Sequence, residues 1–307
     1  MRVSRALERD RSRPLVLSIG VFDGVHRGHR EIISALHQLR RPGELIGALT
    51  FVNHPASYLR PGTEPPLITT VEERVTLLAE LGLDEVYLIP FDGRLATLTA
   101  EAFLQSILIE SLGVRAIAIG ENFRFGSQRR GDALLARTVL EAAGRSVVAV
   151  PSLITGGERV SSTRVRAALA QGEMTEADGL LGSPYTLRGT VVLGDGRGHD
   201  LGFPTANLKW PAQKLVPMDG VYTVVGRHDG RDYHGLASIG NKPTFGAGEK
   251  AIEAWLCDFP RTIYGEELAL REFRFVRAQQ AFASADELRA QMQRDATHIA
   301  FPSFVSA

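Results

Sequence analysis

The sequence predicts a parallel α/β sheet in its first half and a small closed antiparallel β-barrel with a terminal helix in its second. Three observations carry that expectation. In the first half, apolar strand-like runs alternate with helical patterns, the order that builds a parallel sheet with helices on both faces. Near Gly182–Pro184 the composition shifts to Gly, Ser and Pro, residues that punctuate a chain between folded bodies. Beyond it come short alternating or β-branched runs separated by Gly, Pro and Asp, which suit a barrel with no loose edges. With 307 residues the chain is long enough for two cores, and the expected domains are 1–183 and 184–307.

The elements follow in order. Leu15, Val16, Leu17 and Ile19 form an apolar run that suits a strand buried on both faces, and Ile32, Ile33, Leu36 and Leu39 then recur at helical spacing. Leu45–Phe51 reads as a strand, Val71–Leu81 as a helix capped by Thr69 or Thr70, and Glu85–Pro90 as a strand. Ala100–Leu112 reads as a helix, Val114–Gly120 as a strand, Asp132–Ala143 as a helix and Ser146–Val150 as a strand. A further helix opens near Ser161 or Ser162. Barrel strands are expected at Tyr185–Leu193, Val221–Arg227, Tyr233–Ile239, Ala251–Phe259 and Leu268–Arg277, before a helix at Ala285–Ile299.

Composition narrows the partners. The chain is 44% hydrophobic and 23% charged with zero net charge, so no basic field invites nucleic acid. Its lone cysteine, Cys257, argues for a reducing compartment. Arg2, Arg5, Arg9, Arg11 and Arg13 precede no apolar h-region, Glu8 and Asp10 count against an organelle leader, and no run is apolar enough to span a bilayer. A cytoplasmic protein acting on small molecules, without nucleic acid or membrane, is expected. Nothing in the sequence decides between monomer and homo-oligomer.

Three polar clusters interrupt the first half. Ser18–Arg30 reads S-I-G-V-F-D-G-V-H-R-G-H-R, a strand-turn-helix junction. Gly20 and Gly24 allow a tight turn, and His26 and His29 stand at the helix start, where free N–H groups and the dipole favour an anion. Gly28, lacking a Cβ, would let a base or phosphate approach the backbone. A His pair at this spacing also suits zinc or no task at all, but no third ligand, H-E-x-x-H or C-x-x-C accompanies it. Gly120–Gly126 reads G-E-N-F-R-F-G after a strand, and Val160–Leu169 reads V-S-S-T-R-V-R-A-A-L, either a donor-rich helix start or a plain N-cap followed by solvated Arg. Ligands of parallel sheets lie beyond the carboxyl ends of strands, so the first two clusters face one crevice.

G-V-F-D-G-V-H-R-G-H, G-E-N-F-R-F-G and V-S-S-T-R-V-R, with L-L-G-S-P-Y at Leu180–Tyr185, resemble the prokaryotic bifunctional riboflavin kinase/FMN adenylyltransferases, or FAD synthetases, over nearly the whole chain. The resemblance implies a Rossmann-like nucleotidyltransferase domain followed by a flavokinase. It implies ATP as co-substrate, Mg²⁺ as cofactor, and riboflavin, FMN and FAD as substrates and products. In that family the FMN phosphate attacks the α-phosphorus of ATP, a step governed by positioning and charge stabilisation. His26 and His29 match its phosphate-contacting histidines and Asn122 a residue near the transferred phosphate. The resemblance extends nucleotide and phosphate binding to Gly20, Phe22, Asp23, Gly24 and Gly28 of the same turn. Ser162, Thr163 and Arg166 match the motif holding the outer phosphates, with Arg159 as a candidate beside them. One departure is Val52-Asn53 before His54-Pro55, where the family carries an acidic residue and Pro.

The second half carries two features. Gly194-Asp-Gly-Arg-Gly198, then Gly202-Phe-Pro204-Thr205-Ala-Asn207, read either as two ordinary turns or as a Gly-rich loop and rigid turn, in which backbone N–H groups surround phosphates while Thr205 and Asn207 offer oxygens to a hard cation. The resemblance assigns the Mg²⁺ of Mg-ATP to Thr205 and Asn207. Period-two spacing puts Glu253 with Ala251, Trp255 and Cys257. If that face is the inner one, desolvation would raise the carboxyl's pKa toward a general base; otherwise it is solvated and idle. The family residue it matches takes the proton from the riboflavin 5′-hydroxyl. His199, Ser238, Trp255 and Gln279 depart from the family's Arg, Asn, His and Glu, so a paralogue with a weakened kinase half, or a transferase acting on another phosphate ester, are the alternatives.

Overall fold

The computed structural model describes residues 1–194, 202–241 and 250–299. Its first unit, Met1–Ser162, is organised on β1 (Arg2–Ser4), β2 (Leu15–Ile19), β3 (Leu45–Phe51), β4 (Glu85–Ile89), β5 (Val114–Gly120) and β6 (Ser146–Val150). They form a six-stranded sheet in the order β1-β4-β3-β2-β5-β6, parallel at every pairing. Alternate residues of β2 feed opposite cores: Leu15, Leu17 and Ile19 join Leu104, Leu108 and Leu140, and Val16 joins Ile33, Leu36 and Leu78. Helices α1 (Arg27–Leu39), α2 (Pro55–Leu59), α3 (Val71–Glu80) and α4 (Gly93–Thr97) follow in the chain. Thr70 caps α3 in a capping box with Glu73, as the sequence allowed. Strand order reverses between β2 and β5, and open α/β sheets bind ligands at such a reversal.

The helix expected at Ala100–Leu112 is α5 (Ala100–Ala102) continued by a π-helical stretch, Phe103–Ser111. Its wider winding ends with the Leu112 N–H on the Ile107 carbonyl at 2.9 Å and buries Phe103, Leu104 and Leu108. Next come α6 (Ala133–Ala142), capped by Asp132, and a hairpin of β7 (Ile154–Thr155) and β8 (Glu158–Arg159).

Helix α7 (Ser162–Gln171) begins at the last residue of the first unit, and the second unit, Thr163–Ala307, starts one residue later. It adds α8 (Met174–Leu181), β9 (Thr186–Val192), β10 (Thr205–Lys209), β11 (Gly220–His228), β12 (Arg231–Asn241), β13 (Lys250–Leu256), β14 (Glu267–Arg277) and α9 (Ala285–Ala296). The strands close as β10-β13-β12-β11-β14-β9. The two helices before the barrel belong to its unit: Tyr185 N–H donates to Asp178 at 2.8 Å, Arg274 pairs with Asp178 at 2.9 Å, and Met218 N–H reaches the Leu169 carbonyl at 3.0 Å. At the far end of β14, Arg277 holds the buried Asp295 of α9 at 2.8 Å. Among the described residues no helix is long and apolar enough to cross a membrane.

Two expectations change here. Residues 205–207, expected in a rigid turn, start strand β10, where Asn207 accepts the β9 and β13 ladders on its two sides. On β13 the buried side chains are Ile252, Ala254 and Leu256; Glu253 shares the other, half-buried face with Ala251 and Trp255. The face it shares with these apolar neighbours is the outer one, because the pleat turns the alternate residues into the barrel core.

Candidate active sites

After β2 the backbone turns through three left-handed residues, Phe22 (φ 53), Gly24 (φ 82) and Val25 (φ 41). Such a conformation is costly for a β-branched residue. Asp23 holds the turn. Its Oδ1 accepts from the Thr69 N–H at 2.9 Å and the Thr69 hydroxyl at 3.1 Å, and its Oδ2 from the Ile68 N–H at 3.1 Å. Gly24 N–H donates to Thr69 Oγ1 at 3.0 Å. Phe22 lies beneath, its ring against Gly20 and 5.1 Å from that of His29. Both Phe22 and Asp23 are 1% exposed, and their side chains brace the turn from within.

The turn delivers His26 as N-cap of α1, its Nδ1 accepting the His29 N–H at 3.3 Å. That bond leaves the proton of the neutral ring on Nε2. The His26 and His29 rings stack with centroids 3.7 Å apart. His29 Nδ1 is buried and has no hydrogen-bond partner. Burial first, then His26 and Arg74, hold His29 well below the ordinary imidazole range. A buried polar atom without a partner demands an explanation, and here it stands at a helix N-terminus suited to anions. Gly28 serves this pair: a Cβ there would fall 3.2 Å from the His26 ring. The space expected for an approaching ligand is occupied by imidazole.

Neighbouring segments complete the crevice. Ser162 Oγ donates to the Asp23 carbonyl at 2.9 Å, tying the start of α7 to the turn. After β5, Asn122 Nδ2 donates to Ser152 Oγ at 3.0 Å and to Glu121 at 3.3 Å. The Ser152 N–H and hydroxyl, then Arg159, hold Glu121 below the usual carboxylate range, which places Arg159 on the same side. Beneath the strand ends, Arg74 is 2% exposed and donates to Val21 O at 2.7 Å, Thr50 Oγ1 at 2.9 Å and Phe51 O at 3.1 Å. Asn53 pairs both ways with the Phe91 backbone, at 2.9 and 3.0 Å. In the second unit Thr163 is exposed and Arg166 half-buried on α7, while Arg164 is held by Glu176 at 2.8 Å.

In the barrel, Asn207 of β10 stands opposite Glu253 of β13, and Glu253 opposite Ser238 of β12. Directly opposed residues share a face. Thr205, opposite Trp255, stands one step along the same face. Phe203 meets the Trp255 ring edge-on at 4.9 Å. A Cβ on Gly194 would fall 2.0 Å from Asn207 Nδ2, so this glycine seats the carboxamide. Gly202 has φ +81, and Pro204 leads directly into β10. Gly198 and His199 lie outside the described residues.

Residues 8–164 match the FAD synthetase family and residues 181–300 the riboflavin kinase family. The bifunctional riboflavin kinase/FMN adenylyltransferase of Escherichia coli (strain K12) is 38% identical over 284 residues, 91% of this chain and 90% of the relative. That of Bacillus subtilis (strain 168) is 32% identical over 285 residues, 91% of this chain and 90% of the relative. The chain belongs to the bifunctional riboflavin kinase/FMN adenylyltransferases. It phosphorylates riboflavin to FMN and adenylylates FMN to FAD, with ATP and flavins as substrates. A solved structure described as a macrolide-efflux protein from Streptococcus pneumoniae has a TM-score of 0.88 at 31% identity, covering 96% of this chain and 97% of that one.

For a bifunctional riboflavin kinase/FMN adenylyltransferase, the geometry brings together His26, His29, Ser162 and the turn glycines, with Asn122 and Arg159 sharing a second cluster. Sequence reasoning missed Arg74 and Ser152. An Arg within a helix reads as solvated, and a Ser between a strand and a hairpin reads as a loop residue. The barrel row Asn207–Glu253–Ser238 was legible residue by residue but not as a row, because β10 was not read as a strand.

Proposed function

We propose that AMP transfer runs over the turn after β2 and riboflavin phosphorylation along the outer row of β10, β13 and β12. The observation that carries the first assignment is the stacked imidazole pair at the start of α1 with a buried, unpaired His29 Nδ1. A triphosphate supplies acceptor oxygens there, and ring N–H groups donating to them stabilise the negative charge that accumulates as pyrophosphate leaves. Asn122 lies near the transferred phosphate and Arg159 beside it. Ser162, Thr163 and Arg166 take the outer phosphates from the start of α7. Phe22 and Asp23 support from below, and Gly20, Gly24 and Gly28 give the turn its path.

In the second half Glu253 takes the proton from the riboflavin 5′-hydroxyl as that oxygen attacks the γ-phosphorus of ATP, with ADP leaving. Gly194, Gly202 and Pro204 border the phosphates; Gly198, a candidate with them from the sequence, lies outside the described residues. Thr205 and Asn207, two apart on one face of β10, offer the neutral oxygen ligands a hard cation takes, so the residues present fit Mg²⁺. When bound it neutralises phosphate charge. The functional halves meet at 183/184, the enzyme works in the cytoplasm, and it needs neither nucleic acid nor membrane.

Product analysis with purified variants tests this. With riboflavin and Mg-ATP, His26→Ala accumulates FMN and makes little FAD, a loss of about 10²–10³. Glu253→Gln makes no FMN yet converts supplied FMN to FAD. Full FAD output from His26→Ala, or full FMN output from Glu253→Gln, would refute the corresponding assignment.

A further inference from the structure

The polar row on the barrel does not end at Ser238. Gln279, two residues past β14, turns back so that its Nε2 donates to Ser238 Oγ at 3.1 Å. Its carboxamide rests where a side chain at residue 240 would stand: a Cβ on Gly240 would fall 2.1 Å from Gln279 Oε1. The segment bearing Gln279 is anchored two residues earlier, where Arg277 grips Asp295 of α9 at 2.8 Å. The row is thus bounded at each end by a carboxamide seated on a glycine, Asn207 on Gly194 and Gln279 on Gly240. Glu253 stands between them, opposite Asn207 on one side and Ser238 on the other.

We propose that Gln279 is a positioning residue for the kinase base, acting through Ser238. A hydroxyl that accepts an amide hydrogen has its own proton to give elsewhere, and the carboxylate directly across the ladder is an acceptor on the same face. Gln279 donates to Ser238, Ser238 donates to Glu253, and the carboxylate oxygen that does not receive this bond faces the riboflavin hydroxyl. Polarity fixes the direction of the relay. A carboxylate at 279 has no hydrogen to donate, so Ser238 would turn its proton toward residue 279 and away from Glu253. The inference rests on the reading of Glu253 as the base.

The test is steady-state kinetics of riboflavin phosphorylation by the full chain, with FMN adenylylation by the same preparations as the internal control. Gln279→Ala lowers kcat about tenfold with KM for riboflavin within about twofold, because the hydroxyl opposite Glu253 loses the amide that orients it while the flavin site is not altered. Ser238→Ala and Gln279→Glu behave alike, and the Ser238→Ala/Gln279→Ala double variant is no worse than either single, as expected of one chain broken once. Additive losses, or an unchanged kcat in Gln279→Ala, overturn the proposal. Glu253→Gln is measured alongside. If it retains phosphorylation, the reading of Glu253 fails and the relay fails with it. If it is inactive while Gln279→Ala keeps kcat, the positioning role alone is refuted.

Discussion

The turn after β2 and the row across β10, β13 and β12, the two sites proposed for the reactions of ATP, hold their polar groups ready by different means. In the first, a buried His26 and a half-buried His29 stack over a strained backbone, with the Asp23 carboxylate and Arg74 guanidinium consumed in bracing the turn and the strand ends. In the second, half-buried side chains stand in line because antiparallel register puts Asn207, Glu253 and Ser238 opposite one another. One site stores free energy in burial and backbone strain. The other takes its geometry from a ladder that the barrel needs anyway. The first should therefore be sensitive to pH and to substitutions beneath it, and the second mainly to loss of the groups in the row.

Removing the brace beneath the first site gives the largest expected effect. Arg74→Met takes the buried guanidinium donor from the Phe51 carbonyl and one of two donors from the Val21 carbonyl, which keeps the Thr50 hydroxyl, costing about 2–4 kcal/mol in denaturant unfolding. Gln279→Ala, at an exposed barrel position, should stay within about 0.5 kcal/mol. Equal losses would erase the contrast.

Acid sharpens the comparison next. The folded-state pKa of His29 lies below its unfolded value of about 6.5, so the unfolded chain takes up a proton first as pH falls. Its contribution is fully present above that pH and declines below it, by up to about 1.4 kcal/mol per pH unit. His29→Gln removes that slope from urea unfolding of the first half followed between pH 7 and 5, and a slope unchanged by the substitution would count against a buried neutral ring.

The smallest effect concerns Gly28. An added methyl meets the His26 ring at 3.2 Å, which the ring accommodates by a shift of a few tenths of an ångström. Gly28→Ala should slow FAD formation several-fold, within about 1 kcal/mol of transition-state stabilisation, leaving FMN formation untouched. A full-rate Gly28→Ala enzyme would show that the close fit has no catalytic consequence.

The sheet was legible because its central strands are buried on both faces and read as apolar runs: Leu45–Phe51 and Val114–Gly120 were read to the residue, and so was the half-buried edge strand Ser146–Val150. Short elements were not. β1, α2, α4 and the β7–β8 hairpin span too few residues to show a period, and β10 follows Phe203-Pro204, which reads as a turn. The imidazole pair was visible from spacing and glycines. Its stacking, the inward role of Asp23 and the buried bonds of Arg74 were not, since each depends on a partner distant in sequence, such as Thr69 or Phe51. Glu253 was singled out correctly as a carboxylate on a strand, but strand facing is decided by closure of the barrel, and that put Ile252, Ala254 and Leu256 inside.

Nuclear magnetic resonance of the imidazole nitrogens, titrated in the ATP-free protein, tests most directly whether the first site waits with a neutral, buried ring. His29 should stay neutral well below pH 6.5, with one ring nitrogen showing no hydrogen-bond shift until a triphosphate is added. A midpoint at or above the ordinary histidine value, in the absence of nucleotide, would contradict this account of how the site is built.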